Sequence, residues 1–327
     1  MLIGFVYFTE MLLLWLFAAL NLVQLSFANH CPKEPNEHCS CRDFGQYYIN
    51  VDCKSISNVE ETLKSLGDIA KSPLELKITD YPLKRIPSHF LDGISVGSLM
   101  IRNTKLEEID DEAFTSLRNS IFSLEIMNTS LKSLSASSMK NFSTLEVLII
   151  SEDGNLQNSI TADDTKDLPS SIDSLDITHT SLKIIGNNAF SNMKMLRYLS
   201  LRGNKLTSLP DNAFPMKLEI LDLSHNDFLT LPVKPLSSFL SGTQIYLNGN
   251  HISKFPKGGL DVLMSKKYHL ELQKNNIECE CEMKWLPDFL KQNPSSAHRT
   301  KFGDCKGYNS RLNKMIVKLV NVDFGDC

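Results

Sequence analysis

The chain returns to one register again and again. Leu76, Leu99, Leu124, Leu148, Leu175, Leu199, Leu221, Ile245 and Leu270 follow one another at steps of 23, 25, 24, 27, 24, 22, 24 and 25 residues. Two residues on stands a second aliphatic side chain: Ile78, Ile101, Ile126, Ile150, Ile177, Leu201, Leu223, Leu247 and Leu272. Seven on come Leu83, Leu106, Leu131, Leu182, Leu206, Phe228, Ile252 and Ile277, with Leu156 slipped by one in the fourth unit. Fifteen on come Leu91, Phe114, Met139, Phe190, Phe214, Leu236 and Leu260. Alternating apolar residues mark a half-buried strand. A fixed period of this length marks a stack of like units, none of which can bury its apolar face alone, so neighbours must share one continuous core.

Period and columns are those of a leucine-rich repeat, whose units span roughly 20–29 residues. The expected fold class is an α/β solenoid: a leucine-rich-repeat horseshoe of about nine units over residues 73–274, its strands lining the hollow. The column three after the second aliphatic residue reads Tyr81, Thr104, Thr129, Asp153, Thr180, Asn204, Asn226, Asn250 and Asn275. Its side chain is expected to turn inward and bond backbone groups of the next turn, because a buried bend leaves them without partners. Asn204, Asn226, Asn250 and Asn275 then form a regular ladder. Thr and Asp partly replace it in earlier units, and Tyr81 does not. The 27-residue fourth unit carries one insertion, SEDGNLQNSITADDTKDLP. Its carboxylates lack the ligand spacing of a calcium loop, so it reads as a solvated loop.

All eight cysteines fall at the ends, as Cys31, Cys39, Cys41 and Cys53, then Cys279, Cys281, Cys305 and Cys327. The chain opens with an apolar run from Met11 to Leu25 that ends in Ser-Phe-Ala, a signal-peptide pattern with cleavage expected after Ala28. The rival is a membrane anchor, weakened by Asn21 and Gln24. An even cysteine count behind a signal peptide predicts disulfides. Zinc is the alternative, but Cys-x-Cys is too tight for the usual ligand arm. Residues 29–72 are expected to form an N-terminal cysteine cap plus a linking helix with Val59, Leu63, Leu66 and Ile69 on one face. Residues 275–327 form a C-terminal cap, with a short helix around Trp285, Leu286, Phe289 and Leu290 and Pro287 in its first turn. Solenoid ends need such caps to shield the core.

These columns, the N-terminal cysteine cluster and CECEMKWL…C…C resemble the extracellular leucine-rich-repeat proteins capped by cysteines at both ends. The resemblance covers residues 31–327. It implies pairs Cys31–Cys41 and Cys39–Cys53, then Cys279–Cys305 and Cys281–Cys327. The helix after Cys53 and the repeats RNTKLEEI and MNTSLKSL, with Thr in the Asn column, are similar to the arthropod group that includes the non-catalytic subunit of Oplophorus luciferase. That likeness implies a non-catalytic role beside a partner.

Chemistry has few footholds. Gly93-Ile94-Ser95-Val96-Gly97 matches a nucleophile-elbow pattern, but Ser95 would precede its strand where that mechanism needs it after one. Asp176 with His179, and Asp222 with His225, suggest acid/base or metal work, yet the two histidine positions lie two turns apart, about 10 Å. No metal and no cofactor are expected, and no enzyme. Cleavage after Ala28 would remove one charge, Glu10, from 34 basic and 38 acidic side chains, leaving a formal charge of −3. That is too near neutral to call for nucleic acid or an anionic membrane.

The expected working surface is the hollow. Val147, Ile149, Tyr198, Arg202, Ile220 and Tyr246 stand at its exposed strand positions, an apolar and aromatic strip of the kind that marks interfaces. Sequons at Asn128 and Asn141 mark expected glycosylation, which would crowd the N-terminal part of the hollow. The expected product is a secreted scaffold for another secreted or cell-surface protein, without stable membrane insertion. It would be a stabilising subunit of a complex or, alternatively, a free recognition protein.

Overall fold

The computed structural model describes residues 31, 38–44, 48–55, 74–82, 84–255, 258–278 and 284–303. The signal segment, the linking helix, Leu83 and the four C-terminal cysteines lie outside the described residues.

The strands, in chain order, are β1 (Cys39–Asp43), β2 (Ile49–Lys54), β3 (Leu74–Thr79), β4 (Arg85–Ile86), β5 (Val96–Arg102), β6 (Glu108–Ile109), β7 (Ser123–Met127) and β8 (Val147–Ser151). They continue with β9 (Ser159–Ile160), β10 (Ser174–Thr178), β11 (Ile184–Ile185), β12 (Tyr198–Ser200), β13 (Ile220–Asp222), β14 (Gln244–Tyr246), β15 (His269–Glu271) and β16 (Thr300–Lys301). Twelve of them form one sheet in the order β1-β2-β3-β5-β7-β8-β10-β12-β13-β14-β15-β16. From β2 onward every pairing is parallel, which requires a long crossover per strand. The crossovers are the rest of each repeat. Leu76, Leu99, Leu124, Leu148, Leu175, Leu199, Leu221, Ile245 and Leu270 pair in one register, so the counted column is a physical row of the sheet.

That row and the aliphatic row two residues on are almost wholly buried. They meet a spine from the crossover side, where Phe190 and Phe214 stack with ring centroids 6.1 Å apart and Phe214 and Phe239 lie 5.9 Å apart. Each fully buried aliphatic or phenyl side chain contributes roughly 1.5–3 kcal/mol relative to exposure. The core is therefore one rod of like contributions.

The Asn ladder works in the opposite direction to the sequence expectation: each Asn reaches back to the preceding turn. The Asn204 side-chain oxygen accepts from Thr180 N at 3.0 Å and Leu182 N at 3.1 Å, and its amide donates to Ile177 O at 2.7 Å. Asn226, Asn250 and Asn275 accept from Leu206 N, Phe228 N and Ile252 N. They donate back to Leu201 O, Leu223 O and Leu247 O. The physical reason is which groups the bend orphans: those after the strand of the earlier turn. Asp153 reaches back too, to Leu131 N at 2.9 Å. Threonine is one bond too short, so Thr104 and Thr129 serve their own turns, accepting from Leu106 N and Leu131 N, both at 3.2 Å. Tyr81 packs instead, edge-on to Phe90.

Where the ladder is substituted, ordinary strand pairing continues further. β3, β5, β7, β8 and β10 run to the third residue past the strand leucine, whereas β12–β15 stop at the first. Just before the ladder column the backbone turns left-handed in every unit. Positive φ occurs at Asp80, Asn103, Asn128, Glu152, His179, Gly203, His225, Gly249 and Lys274.

The N-terminal end is stapled as the resemblance implied. Cys31 bonds Cys41, and Cys39 bonds Cys53 directly across the β1–β2 hairpin. At the other end the helix Leu286–Gln292 carries Pro287 in its first turn, and Trp285 packs edge-on to Phe289. In the fourth unit Asp164 caps the helix Ala162–Thr165 by accepting from Thr161 N at 2.7 Å, and Asp153 is a ladder residue. Two of the insertion's carboxylates thus hold backbone.

Candidate binding face

Residues on either side of each strand leucine alternate onto the open face of the sheet. The row before it runs Ser123, Val147, Ser174, Tyr198, Ile220, Gln244 and His269. The row after it runs Glu125, Ile149, Asp176, Ser200, Asp222, Tyr246 and Glu271. Val147, Ile149, Tyr198, Arg202, Ile220 and Tyr246 are all half-buried on this face.

The structure divides them. Val147 and Ile149 share β8, and Tyr198 and Ile220 are register partners on β12 and β13. Between the two groups lies β10, which presents Ser174 and Asp176. Tyr246 stands next to Asp222, its hydroxyl donating to the Gln244 side chain at 3.0 Å. The strip is therefore two apolar patches with carboxylates set into it, rather than one continuous surface.

Asp176 is the unusual member. Its Oδ1 is buried and has no hydrogen-bond partner among the described residues. This carboxyl is pushed up to about 6, by burial first and also by Asp222, against a Thr178 hydrogen bond and His179, which oppose the shift. The hydroxyl of Tyr198 is raised as well, by burial first and then by Asp176. His225 is held below its ordinary range by burial, then by Arg202 and Lys274. Arg202 donates to Ser224 Oγ at 2.7 Å, which ties it down beside the hollow. Charge is thus concentrated in the middle of the face without being fully compensated there.

Asn128 is exposed at the end of β7, its amide donating to Asn103 Oδ1 at 2.9 Å, the same nitrogen a glycan would occupy. Asn141 is exposed on the crossover after the turn Ala136–Met139. Ser95 precedes β5 and follows a turn. His179 and His225 sit in the same left-handed column, separated by Gly203. Among the described residues no group of three or more His, Cys, Asp or Glu side chains is placed to hold a metal ion. Sequence reasoning weighed Asp176 and Asp222 only for acid/base or metal work. Their place in the row after the strand leucine was the signal that assigns them to the face.

Two family descriptions match the sequence: "Leucine rich repeat" over residues 170–228, and "BspA type Leucine rich repeat region (6 copies)" over residues 62–162. Among solved structures, human 5T4 (Wnt-activated inhibitory factor 1, trophoblast glycoprotein) is similar at 19% identity and a TM-score of 0.55, covering 89% of this chain and 98% of that one. A chain from the octameric complex of Latrophilin 3, Unc5D and FLRT2 (LRR) is similar at 17% identity and a TM-score of 0.58, covering 80% of this chain and 85% of that one. Together with the nine-strand register they show that the chain has a leucine-rich-repeat fold. Among the described residues no helix is long and apolar enough to cross a membrane.

Proposed function

We propose that this protein is a secreted, non-catalytic scaffold that binds a partner protein in the hollow of units four to nine. The observation that carries the reading is the centre of the face: Tyr198, Ile220 and Tyr246 set around a carboxylate, Asp176, whose buried oxygen lacks a partner among the described residues. Aromatic side chains beside a desolvated polar group are what interface hot spots are made of. An unsatisfied buried oxygen gains most from a donor brought by a ligand. Disulfides at the N-terminal end fit an oxidising compartment. Glycans on Asn128 and Asn141 would leave the distal units as the free part of the hollow.

The scaffold serves as a stabilising subunit of a secreted complex, the role implied by the likeness to the Oplophorus luciferase group. A second reading, a free adhesion, guidance or immune ligand-binder, is favoured by the similarity to a chain from the complex titled with Latrophilin 3, Unc5D and FLRT2. Mild purification of the native protein, with sizing and mass spectrometry of bound species, separates the two. A stoichiometric partner supports the subunit, and Tyr198→Ala with Tyr246→Ala should then weaken the complex at least tenfold. A clean monomer supports the free ligand-binder. A bound partner whose affinity ignores both tyrosines removes the hollow from the account.

A further inference from the structure

A different surface stands out along the edge where the strands begin. Four and five residues before the strand leucine, units three to five carry only small polar pairs: Asn119-Ser120, Ser143-Thr144 and Ser170-Ser171. The next three units carry Lys194-Met195, Met216-Lys217 and Leu240-Ser241. Met195, Met216 and Leu240 are 61%, 65% and 56% exposed on three consecutive turns. Single exposed aliphatics are ordinary, but three in a row on one edge are not scatter. Leu240 N bonds Met216 O, which fixes those two turns side by side.

Beside them runs a groove of about 630 Å³ lined by Met195, Arg197, Lys217, Leu240 and Gly242, among others. A β-carbon on Gly242 would meet nothing within 4 Å, so the groove is open there. Its two carboxylates are already engaged, because Arg197 is bound between Asp173 and Glu219. Lys194 and Lys217, and Lys266 at the same level on the ninth unit, are exposed and have no carboxylate partner among the described residues. The edge is thus apolar in the middle and carries unspent positive charge.

We propose that this edge is a second docking surface, distinct from the hollow, for an acidic segment of a partner protein with apolar side chains between its carboxylates. The apolar side chains would cover Met195, Met216 and Leu240, where the unbranched methionines adapt to shape. The carboxylates would meet Lys194, Lys217 and Lys266, which select against basic segments.

The test uses fluorescein-labelled eight-residue peptides of alternating Glu and Leu, Glu and Ser, or Lys and Leu, read by anisotropy against the full chain. The Glu–Leu peptide should bind. Its affinity should fall at least tenfold with Lys194→Glu plus Lys217→Glu, and equally with Met195→Ser plus Leu240→Ser, while Tyr198→Ala leaves it unchanged. Thermal melts confirm that each variant is folded. Equal binding of the Glu–Ser peptide overturns the proposal, as does binding that survives both double variants. So does capture of phosphatidylserine vesicles without peptide binding, or self-association of the chain that Met195→Ser plus Leu240→Ser abolishes. The Tyr198→Ala arm keeps this result independent of the hollow.

Discussion

The imidazole of His179 occupies the space where Gly203, one turn further along, would carry a β-carbon. His225 stands in the same relation to Gly249, its Nδ1 2.8 Å from that position. The left-handed column thus alternates a covering ring with the glycine it covers. Gly203→Ala brings a clash and a strained φ of +68° together. It should destabilise by about 2–3 kcal/mol. His179→Ala in the same chain should return the steric part and leave about 1 kcal/mol. Denaturant unfolding of the four species of the double-mutant cycle checks this. Additive losses would show that the ring yields freely.

The ladder predicts unequal costs for its members. Asn226→Ala leaves Leu206 N without its side-chain acceptor, and Leu201 O and Leu223 O each lose one of two side-chain donors, keeping Asn204 and Asn250 respectively. It should cost about 2–3 kcal/mol, because one buried N–H is orphaned and two carbonyls lose a bond at the same time. Thr104→Ala loses one bond, to Leu106 N. It should cost about 1 kcal/mol. Hydrogen exchange should place the first effect at the Leu206 amide, in the turn before the mutated one.

Asp176 predicts a pH dependence of stability. Its carboxyl titrates near 6 in the folded chain against an ordinary 3.8. Between those values the folded state holds the proton that the unfolded state has released. Stability from this group therefore falls as pH rises through the window. Asp176→Asn removes the loss and should stabilise by about 1–2 kcal/mol at pH 7.5, after a discount for partial exposure. The gain should shrink toward zero by about pH 4. Melting curves at pH 4, 5.5 and 7.5 test the sign, and a loss of stability at pH 7.5 would refute it.

The staple across β1–β2 closes a segment with a sequence separation of 14. Replacing Cys39 and Cys53 by Ala should cost roughly 3 kcal/mol. The loss should appear as early exchange of β2 and β3 amides, with β12–β15 unaffected at first, because each unit touches only its neighbours.

The rows of the sheet were legible because Leu76 through Leu270 repeat one local choice nine times, and a repeated choice overrides weak single positions. The N-terminal pairing came through resemblance, and Cys39 facing Cys53 across a hairpin gives it a physical basis. The direction of the ladder was not legible: Asn204 names a donor and an acceptor but not which turn they belong to. Nor was the division of the face. Val147, Tyr198 and Tyr246 were readable as open positions, but the polarity between them depends on Asp176 and Asp222 falling in the same row. The left-handed column was hidden because Asp, Asn, Glu, His, Gly and Lys share a backbone angle there without sharing a chemistry.

The backward reach of Asn204, Asn226, Asn250 and Asn275 also bears on how the molecule comes into being. A turn at the growing end of the chain has its bend unfinished until the following turn emerges and supplies the missing amide. Synthesis runs in the same direction, so in the distal half each new turn locks the one made before it. In the proximal half the side-chain dependence is lighter: Thr104 and Thr129 bond within their own turns, and among the described residues Asp153 alone reaches back, to Leu131 N. During biosynthesis the distal half therefore always lags by one unit.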